Sequence, residues 1–167
     1  RESVNNEISG MLNQRILPAS FQLYLDPTLT TYQGKALSGH YLYDDEGVKG
    51  QRVNCVKDGY LRQYLMSRTP VKEFAGSNGH GRASNDRDPN PRQSNFIVET
   101  TEPYSETQLR NLLIEELKRQ GKEYGYYFRT VKGGFTTRGK ANAINAFNVS
   151  PIEVYRVFAD GRDDQLV

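Results

Sequence analysis

The sequence predicts an α+β domain, mostly antiparallel β in a barrel- or sandwich-like sheet, with one amphipathic helix at about residues 105–120. Three observations lead to this class. Short alternating apolar runs recur between turn residues, which is typical of antiparallel strands. An Asp-Gly pair at residues 58–59 separates two such runs, as in a two-residue hairpin. Only the segment that follows Ser105 combines the apolar spacing of a helix with clear start and stop signals.

Residues 1–50 are predicted to contain one clear strand. Apolar residues recur at helical spacing within residues 1–15, which predicts a helix there, interrupted by a glycine. Phe21–Leu25 alternates in hydrophobicity and is predicted to be a strand, ended by a turn at Asp26-Pro27. Residues 28–50 are rich in glycine and acidic residues and are expected to form a structured loop with short extended pieces.

The Asp58-Gly59 pair predicts the best-defined local structure of the chain. It lies between the alternating runs 51–57 and 60–66. A type I′ turn needs positive φ at both central residues, and Asp-Gly meets this requirement at low cost. The second run carries apolar or aromatic side chains on both of its faces, so both faces are expected to be at least partly covered.

A long polar loop is predicted at residues 76–95, which contain almost no apolar side chain. Loops of about twenty residues are uncommon inside compact domains and are usually functional or disordered. The sheet is expected to resume with a strand at residues 96–99.

The predicted helix begins with a capping box at residues 105–108, in which Ser105 and Gln108 cap each other's backbone amides. Gly121 provides the stop signal. Four leucines form one apolar stripe that we expect to pack into the core against a sheet. They are Leu109, Leu112, Leu113 and Leu117.

Beyond the helix, the sequence predicts two strands and the start of a third. The predicted elements are a strand at 124–131, a turn at 132–134, an irregular stretch at 135–146, a strand at 152–159, a turn at 160–161 and a returning strand from 166. A returning strand cut short leaves an unpaired edge, which natural domains usually avoid. We therefore expect a single domain fragment spanning residues 1–167, with a disordered native tail as the alternative.

Composition excludes several classes of protein. The 167 residues leave room for one domain, and 22 Lys and Arg against 20 Asp and Glu give a net charge of +2, which disfavours nucleic acid as a partner. No apolar run approaches the ~20 residues that a membrane span requires, so no membrane partner is predicted. A single cysteine excludes an internal disulfide.

The residue types that carry metal or nucleophilic chemistry are sparse. The two histidines, His40 and His80, lack the spacing of a zinc motif, so no metal site is predicted within this chain. Cys55 lies in a predicted strand, where an inert, half-buried thiol is expected. No Gly-x-Ser-x-Gly elbow is present to activate a serine.

Two short motifs remain as candidate binding elements. The acidic turn Asp44-Asp45-Glu46 could hold a cation or supply a general base, and a solvated turn is the alternative. The segment 79–82, Gly-His-Gly-Arg, could line a surface with backbone amides. It is not a phosphate-binding P-loop, because no Lys-Ser/Thr pair follows and no predicted helix begins there.

The order of six motifs resembles the C-terminal domain of the TldD/PmbA family of zinc metallopeptidases, historically called modulators of DNA gyrase. Together the motifs cover about residues 10–161. They are the segments 26–29 (Asp-Pro-Thr-Leu), 43–47 (Tyr-Asp-Asp-Glu-Gly), 57–65 (Lys-Asp-Gly-Tyr-Leu-Arg-Gln-Tyr-Leu), 77–82 (Ser-Asn-Gly-His-Gly-Arg), 91–95 (Pro-Arg-Gln-Ser-Asn) and 155–161 (Tyr-Arg-Val-Phe-Ala-Asp-Gly).

The resemblance implies a peptide-hydrolysing parent protein whose zinc is held outside this chain. Family members use a His-Glu-x-x-x-His helix and a later cysteine as ligands, and neither element is present in this sequence. The fragment is therefore expected to contain no catalytic residue and no cofactor and to be inactive alone, with zinc in the full-length parent. The resemblance also implies a cytoplasmic bacterial or archaeal protein, an extended peptide as substrate, and a homodimer or a dimer with a paralogue.

In this interpretation the chain provides the wall of the substrate groove. The groove candidates are Asp44, Asp45, Glu46, His80, Arg82 and Asn95. Loop-stabilising hydrogen bonds in Asx-type turns are the alternative role for these residues. For the whole protein, a non-enzymatic peptide-binding or interaction module is the alternative to a peptidase. Nucleic-acid binding is a third hypothesis, which depends only on the family's historical name.

Overall fold

The computed structural model describes residues 10–71, 74, 76–137 and 146–167; for residues 136, 137, 146 and 147 it describes the backbone alone. These residues belong to two compact units, residues 1–102 and residues 103–167. All strand pairs among them are antiparallel, and one helix is present in the described part of the chain, so the predicted α+β class is confirmed. The sheets are not closed into a barrel. None of the described helical residues forms a segment long and apolar enough to span a bilayer.

The first unit is built on a four-stranded sheet with two small hairpins. Its strands are β1 (Phe21–Leu25), β2 (Thr31–Tyr32), β3 (Lys35–Ala36), β4 (Val53–Lys57), β5 (Tyr60–Leu61), β6 (Gly81–Arg82), β7 (Asn90–Pro91) and β8 (Phe96–Thr100). The sheet order is β5-β4-β1-β8, and β2 pairs with β3 and β6 with β7. Side chains of β1, β4 and β8, including Leu25, Val53, Val56 and Ile97, form the buried core. The predicted strands at 21–25 and 96–99 are thus confirmed.

The hairpin at Asp58-Gly59 is confirmed, but its second strand is shorter than predicted. Asp58 and Gly59 have φ of 52° and 78°, as a type I′ turn requires. Strand β5 ends at Leu61, because the amides of Arg62 and Gln63 both donate to the Cys55 carbonyl, at 2.7 and 3.5 Å, which interrupts the regular ladder with β4. Further along, a side chain bonds the backbone. The Asn78 side chain accepts from the Met66 amide at 2.8 Å and donates to the Tyr64 carbonyl at 2.9 Å.

The predicted N-terminal helix is wrong over residues 10–15, which form turns. Gly10 and Asn13 have φ of 91° and 62°, outside the right-handed helical region. The amide of Asn13 instead donates to the Leu61 carbonyl at 2.7 Å, which ties this segment to the hairpin. The remainder of that prediction, residues 1–9, lies outside the described residues.

The polar loop at 76–95 contains short regular structure. Strands β6 and β7 pair within it, with Gly81 opposite Pro91 and Arg82 opposite Asn90. The predicted long polar loop therefore contains an irregular hairpin, in which these four residues form two short strands.

The second unit packs a helix on a three-stranded sheet. Its elements are α1 (Glu106–Gln120), β9 (Tyr124–Thr137), β10 (Ala146–Phe158) and β11 (Gln165–Leu166), in the sheet order β11-β10-β9. The capping box between Ser105 and Gln108 and the left-handed Gly121 at the helix end are both confirmed. The returning strand is also confirmed, because Leu166 pairs with Tyr155 of β10.

The predicted turn at 132–134 is wrong, because these residues lie inside β9. Gly134 pairs with Val149 and Lys132 with Ser150, so Gly133 is an extra residue between two ladder positions. Its φ of 52° marks it as a bulge glycine. Strand β10 begins at Ala146, well before the predicted start at residue 152, and residues 138–145 of the predicted irregular stretch lie outside the described residues.

Only half of the leucine stripe on α1 packs in the core. Leu117 is buried and Leu113 half-buried, whereas Leu109 and Leu112 are 55% and 43% exposed. The C-terminal half of the helix approaches the sheet closely at Gly125, where an added Cβ would lie 3.1 Å from both Leu113 and Leu117. The prediction of a fully buried stripe is therefore wrong for the N-terminal half of the helix.

We expect Gly59→Ala to destabilise the protein far more than Gly34→Ala. Both glycines end a two-residue hairpin turn with φ near 77°, at 78° and 76°. An added Cβ at Gly34 meets nothing within 4 Å, whereas at Gly59 it lies 2.7 Å from the Pro18 carbonyl oxygen. The backbone strain alone costs about 1–2 kcal/mol, and the overlap at Gly59 adds about 1–3 kcal/mol. Urea unfolding of the two variants measures this difference, and equal losses would show that the turn is not packed against residue 18.

Candidate functional site

Five of the six predicted groove residues lie together in unit 1. The acidic turn 44–46 contacts the segment 79–82, and we call these two segments the loop cluster. The Asp45 amide donates to the Gly81 carbonyl at 2.9 Å, and side chains provide the other links between them. The sixth residue, Asn95, makes its hydrogen bonds to a different set of loops.

Asp44 is the buried centre of the loop cluster, at 5% exposure. Its Oδ1 accepts from the amides of Glu46 and Val48 at 3.0 and 2.8 Å, and its Oδ2 accepts from the Gly81 amide at 2.9 Å. The bond to residue 46 is that of an Asx turn. Hydrogen bonds from three amides to one carboxylate are charge-assisted and among the stronger bonds in proteins. The side chain therefore closes its own turn and fastens strand β6 to it.

Asp45 and Arg82 form an accessible ion pair at the edge of the loop cluster. Arg82 Nε lies 3.1 Å from Asp45 Oδ1, and both side chains are 37% exposed. The Ala83 amide donates to Asp45 Oδ2 at 2.7 Å, and this bond, followed by the Arg82 guanidinium, lowers the pKa of Asp45. The guanidinium also stacks on the Tyr41 ring, 4.4 Å from its centroid. The pair therefore presents fixed, opposite charges to solvent.

Glu46 bridges the loop cluster to the chain that follows β5. Its Oε2 accepts from the Arg68 amide at 2.7 Å. The same carboxylate fills the space where a side chain on residue 81 would lie, which explains the glycine at that position. Glu46 is half-buried and keeps part of its surface in contact with solvent.

His80 is completely buried and holds two loops by its ring nitrogens. Nδ1 lies 3.1 Å from the Asn78 carbonyl oxygen and Nε2 lies 3.1 Å from Ser94 Oγ. These partners assign the proton to Nδ1, which donates to the carbonyl, while Nε2 accepts from the hydroxyl. Burial lowers the pKa of His80, against smaller opposing effects of the Asn78 carbonyl, Asp44 and Asp26. The ring is therefore neutral at physiological pH.

Asn95 fixes the loop that precedes β2 to the start of β8. Its side-chain amide donates to the carbonyls of Asp26 and Leu29 at 3.0 and 2.7 Å, and its Oδ1 accepts from the Gly39 amide at 2.8 Å. Because Asn95 is buried and every polar atom of its side chain is bonded, it serves the loop-stabilising role.

The six candidates thus divide by exposure. Asp44, His80 and Asn95 are buried and hydrogen-bonded to loop backbone or to Ser94. Asp45, Glu46 and Arg82 make similar structural contacts but keep part of their surface accessible. Of the six candidates, a ligand can therefore reach Asp45, Glu46 and Arg82.

The residues that zinc requires do not converge in the described ranges. No three His, Cys, Asp or Glu side chains there are placed to hold one metal ion. Both ring nitrogens of His80 are engaged, and the exposed His40 lies elsewhere with Nδ1 3.1 Å from the Leu37 carbonyl. Burial raises the pKa of Cys55 to about 11, which keeps it a thiol, whereas zinc binds the thiolate. The described residues therefore do not fit a zinc site.

A second candidate site lies in unit 2 and was not predicted from the sequence. A cavity of about 440 Å³ opens between the N-terminal half of α1 and strands β9 and β10. Leu109, Leu113 and Val157 give it an apolar lining, and a salt bridge of 2.6 Å between Arg110 and Asp164 lies at its margin. The sequence points to this cavity only through the apolar Leu109 in the first turns of α1. That Leu109 stays partly exposed depends on tertiary packing, which local sequence patterns do not show.

Residues 3–150 match the family of PmbA/TldA metallopeptidase C-terminal domains. The chain is 32% identical over 120 residues to a metalloprotease of Methanocaldococcus jannaschii, covering 71% of this chain and 24% of that protein. It is 32% identical over 93 residues to a metalloprotease of Archaeoglobus fulgidus, covering 56% of this chain and 20% of that protein. The chain therefore spans about a quarter of the length of these curated relatives.

Solved structures show the same fold at low sequence identity. TldE from Thermococcus kodakarensis is 15% identical with a TM-score of 0.58, covering 96% of this chain and 32% of that chain. A Thermotoga maritima protein described as a candidate modulator of a DNA gyrase is 17% identical with a TM-score of 0.58, covering 97% of this chain and 32% of that chain.

We expect the protein to lose stability between about pH 7.5 and about pH 5.5 because of His80. An unfolded histidine has a pKa of about 6.5, and the folded pKa is lower, so the unfolded state binds more protons in this range. The stabilisation is therefore present above the unfolded pKa and is lost as the pH falls towards the folded value.

The measurement is the urea midpoint at the two pH values. The variant His80→Gln should be less stable at the higher pH and show a smaller loss on acidification, whereas the exposed-site control His40→Gln should behave like the unmodified chain. An unchanged acid loss in His80→Gln would contradict the assignment.

Proposed function

The chain belongs to the family of PmbA/TldA metallopeptidase C-terminal domains, and on that premise we propose that it is the groove-forming part of a zinc metallopeptidase. The proposed reaction of the whole protein is peptide hydrolysis by metal-activated water. Curated relatives that are named metalloproteases and are about three times as long as this chain support a parent of this kind. The zinc and its ligands belong, in this proposal, to parts of the parent outside this chain.

One combined observation carries the proposal. The family match covers residues 3–150, yet the described histidines, cysteine and carboxylates of this region do not converge on a metal. Asp44, His80 and Asn95 instead bond backbone and hold loops in place. Residues used in this way suit a rigid support for a reaction centre held elsewhere.

The proposed contact surface for substrate is the accessible part of the loop cluster. Asp45 and Arg82 present a fixed pair of charges, and Glu46 adds a partly exposed carboxylate. Such groups can bond the amides and carbonyls of an extended peptide, which is the proposed substrate. A homodimer or a dimer with a paralogue and a cytoplasmic location complete the proposal.

A non-enzymatic peptide-binding module is the second candidate. The cavity beside α1 favours it, since an apolar pocket of this volume binds ligands without any reacting group. The two candidates differ in whether the parent protein holds a metal and cleaves peptides.

Metal analysis and peptidase assays on the parent and on this chain separate the two candidates. We expect about one zinc ion per parent chain and cleavage of unstructured fluorogenic peptides that chelation abolishes and added zinc restores. The 167-residue chain alone should hold no stoichiometric zinc and cleave nothing. A parent without zinc and without cleavage would favour the binding module, and zinc-dependent cleavage by this chain alone would contradict both.

A matched pair of substitutions in the parent tests the groove contacts. We expect Arg82→Ala to raise KM about tenfold with little change in kcat, because it removes a contact made equally to substrate and transition state. The control Arg92→Ala changes an exposed arginine of the same polar loop and should leave KM unchanged. Equal effects of the two variants would exclude Arg82 from the groove.

A further inference from the structure

Arg156 is the only described arginine of unit 2 that has no carboxylate partner. The other four described arginines of this unit each form a salt bridge with an Asp or Glu side chain. They are Arg110, Arg119, Arg129 and Arg162. The Nε of Arg156 is buried, and it has no hydrogen-bond partner among the described residues. A buried donor without a partner costs free energy and is rare in folded proteins, so this one calls for an explanation.

The side chain of Arg156 lies on the face of the sheet that points away from α1. Gly125 faces the helix, since an added Cβ there would lie 3.1 Å from two leucines of α1. Side chains alternate between the two faces along a strand, so Tyr124, Tyr126 and Phe128 point away from the helix. Arg156 is paired directly opposite Tyr126 and therefore shares this face. We call these three rings and Arg156 the aromatic face.

The rings of the aromatic face contact one another and remain partly exposed. Tyr124, Tyr126 and Phe128 are 38%, 46% and 57% exposed, respectively. The ring centroids of neighbouring members lie 5.6 and 6.4 Å apart. The guanidinium of Arg156 lies 5.0 Å from the centroid of the Tyr124 ring. This cation–π contact favours the charge but leaves the Nε–H group unbonded. The face therefore combines exposed apolar rings with an unpaired positive charge.

The size of the aromatic face favours a covalently linked segment over a separate protein as its cover. An aromatic side chain contributes ~150–250 Å² when it is completely buried, so three partly exposed rings offer far less than the ~800 Å² that each partner buries in a typical stable complex. A segment of the same polypeptide has a high effective concentration and avoids much of the entropic cost of association. The curated relatives extend well beyond the region that this chain matches, which covers 24% of one and 20% of the other.

We propose that a segment of the parent protein outside these 167 residues covers the aromatic face, and that an Asp or Glu of this segment pairs with Arg156. A carboxylate can accept two parallel hydrogen bonds from a guanidinium, one of them from Nε, so it satisfies the orphaned donor. The four other described arginines of the unit all use this type of partner. Apolar side chains beside the carboxylate cover the exposed rings. The inference shares with the proposed function only the existence of a longer parent, and it assigns no part in hydrolysis.

Carbodiimide coupling in the parent variant Arg156→Lys identifies the partner carboxylate. The reagent joins a lysine amine to a carboxylate that it contacts, and mass spectrometry of the digested protein locates the new amide bond. We expect the introduced lysine to be cross-linked to an Asp or Glu outside residues 1–167. The matched control is the parent variant Arg129→Lys. Arg129 Nη1 lies 3.2 Å from Glu153 Oε1, so the lysine introduced there should be cross-linked to Glu153.

A second measurement needs no variant. Tetranitromethane nitrates accessible tyrosine rings, and the rate at Tyr126 is compared between the folded parent and the parent unfolded in urea. We expect nitration to be about tenfold slower in the folded parent, whereas an uncovered ring of 46% exposure would slow only about twofold.

Three results would overturn the inference. They are a cross-link from the Arg156→Lys site to a carboxylate within residues 1–167, no cross-link there while the Arg129→Lys control reacts, and a slowing at Tyr126 no larger than its own exposure explains. Failure here is distinguishable from failure of the proposed function. Zinc-dependent cleavage by a parent without the expected cross-link overturns only this inference. The expected cross-link in a parent that lacks zinc and peptidase activity overturns only the proposed function.

Discussion

The three amide hydrogen bonds accepted by the Asp44 carboxylate are the constraint on which the loops of unit 1 depend. The strands in these loops are two residues long, so most loop amides have no ladder partner. Buried amides must nevertheless be bonded, and here side chains replace the missing strands. Asp44 closes the acidic turn and fastens Gly81, His80 links residues 78 and 94, and Asn95 holds the loop after β1. Because each of these side chains is buried, losing one would leave several backbone groups unsatisfied.

This constraint also limits what the loop cluster can do chemically. A carboxylate that accepts three amides is unavailable as a general base or metal ligand unless its turn opens, and the neutral His80 has both nitrogens bonded. Asp44 and His80, which suggest an active site in the sequence, therefore hold the conformation of these loops. The accessible ion pair of Asp45 and Arg82 is held in place by these loops, and in the proposed function it orients a peptide without reacting with it.

Local signals predicted the elements whose cause is local. The Asp58-Gly59 turn and the Ser105 capping box depend on a few adjacent residues, and both are present. The sequence predicts a turn at Gly133, where the structure has a bulge within β9. Glycine is favoured at both, because each requires positive φ. Beyond the early end of β5, the Met66 amide is bonded by the side chain of Asn78, which is distant in sequence, and local patterns do not predict such a partner.

The candidate site was predictable only in part for the same reason. The motif order that resembles the family singled out the two segments of the loop cluster, but no local rule says that Asp44 bonds Gly81, 37 positions away. The cavity depends on where α1 ends its contact with the sheet. The leucine stripe is continuous in sequence, whereas its burial changes from Leu117 to Leu109, and only packing determines that change.

Amide hydrogen exchange at Glu46, Val48 and Gly81 tests most directly whether one buried carboxylate organises these loops. All three amides should exchange much more slowly than in an unfolded chain, although none of them donates to a strand partner. In Asp44→Asn they should accelerate together, while the amide of Val56 in the central sheet stays protected. Exchange of the three amides at unfolded rates in the unmodified chain, or rates that do not change in Asp44→Asn, would contradict the account.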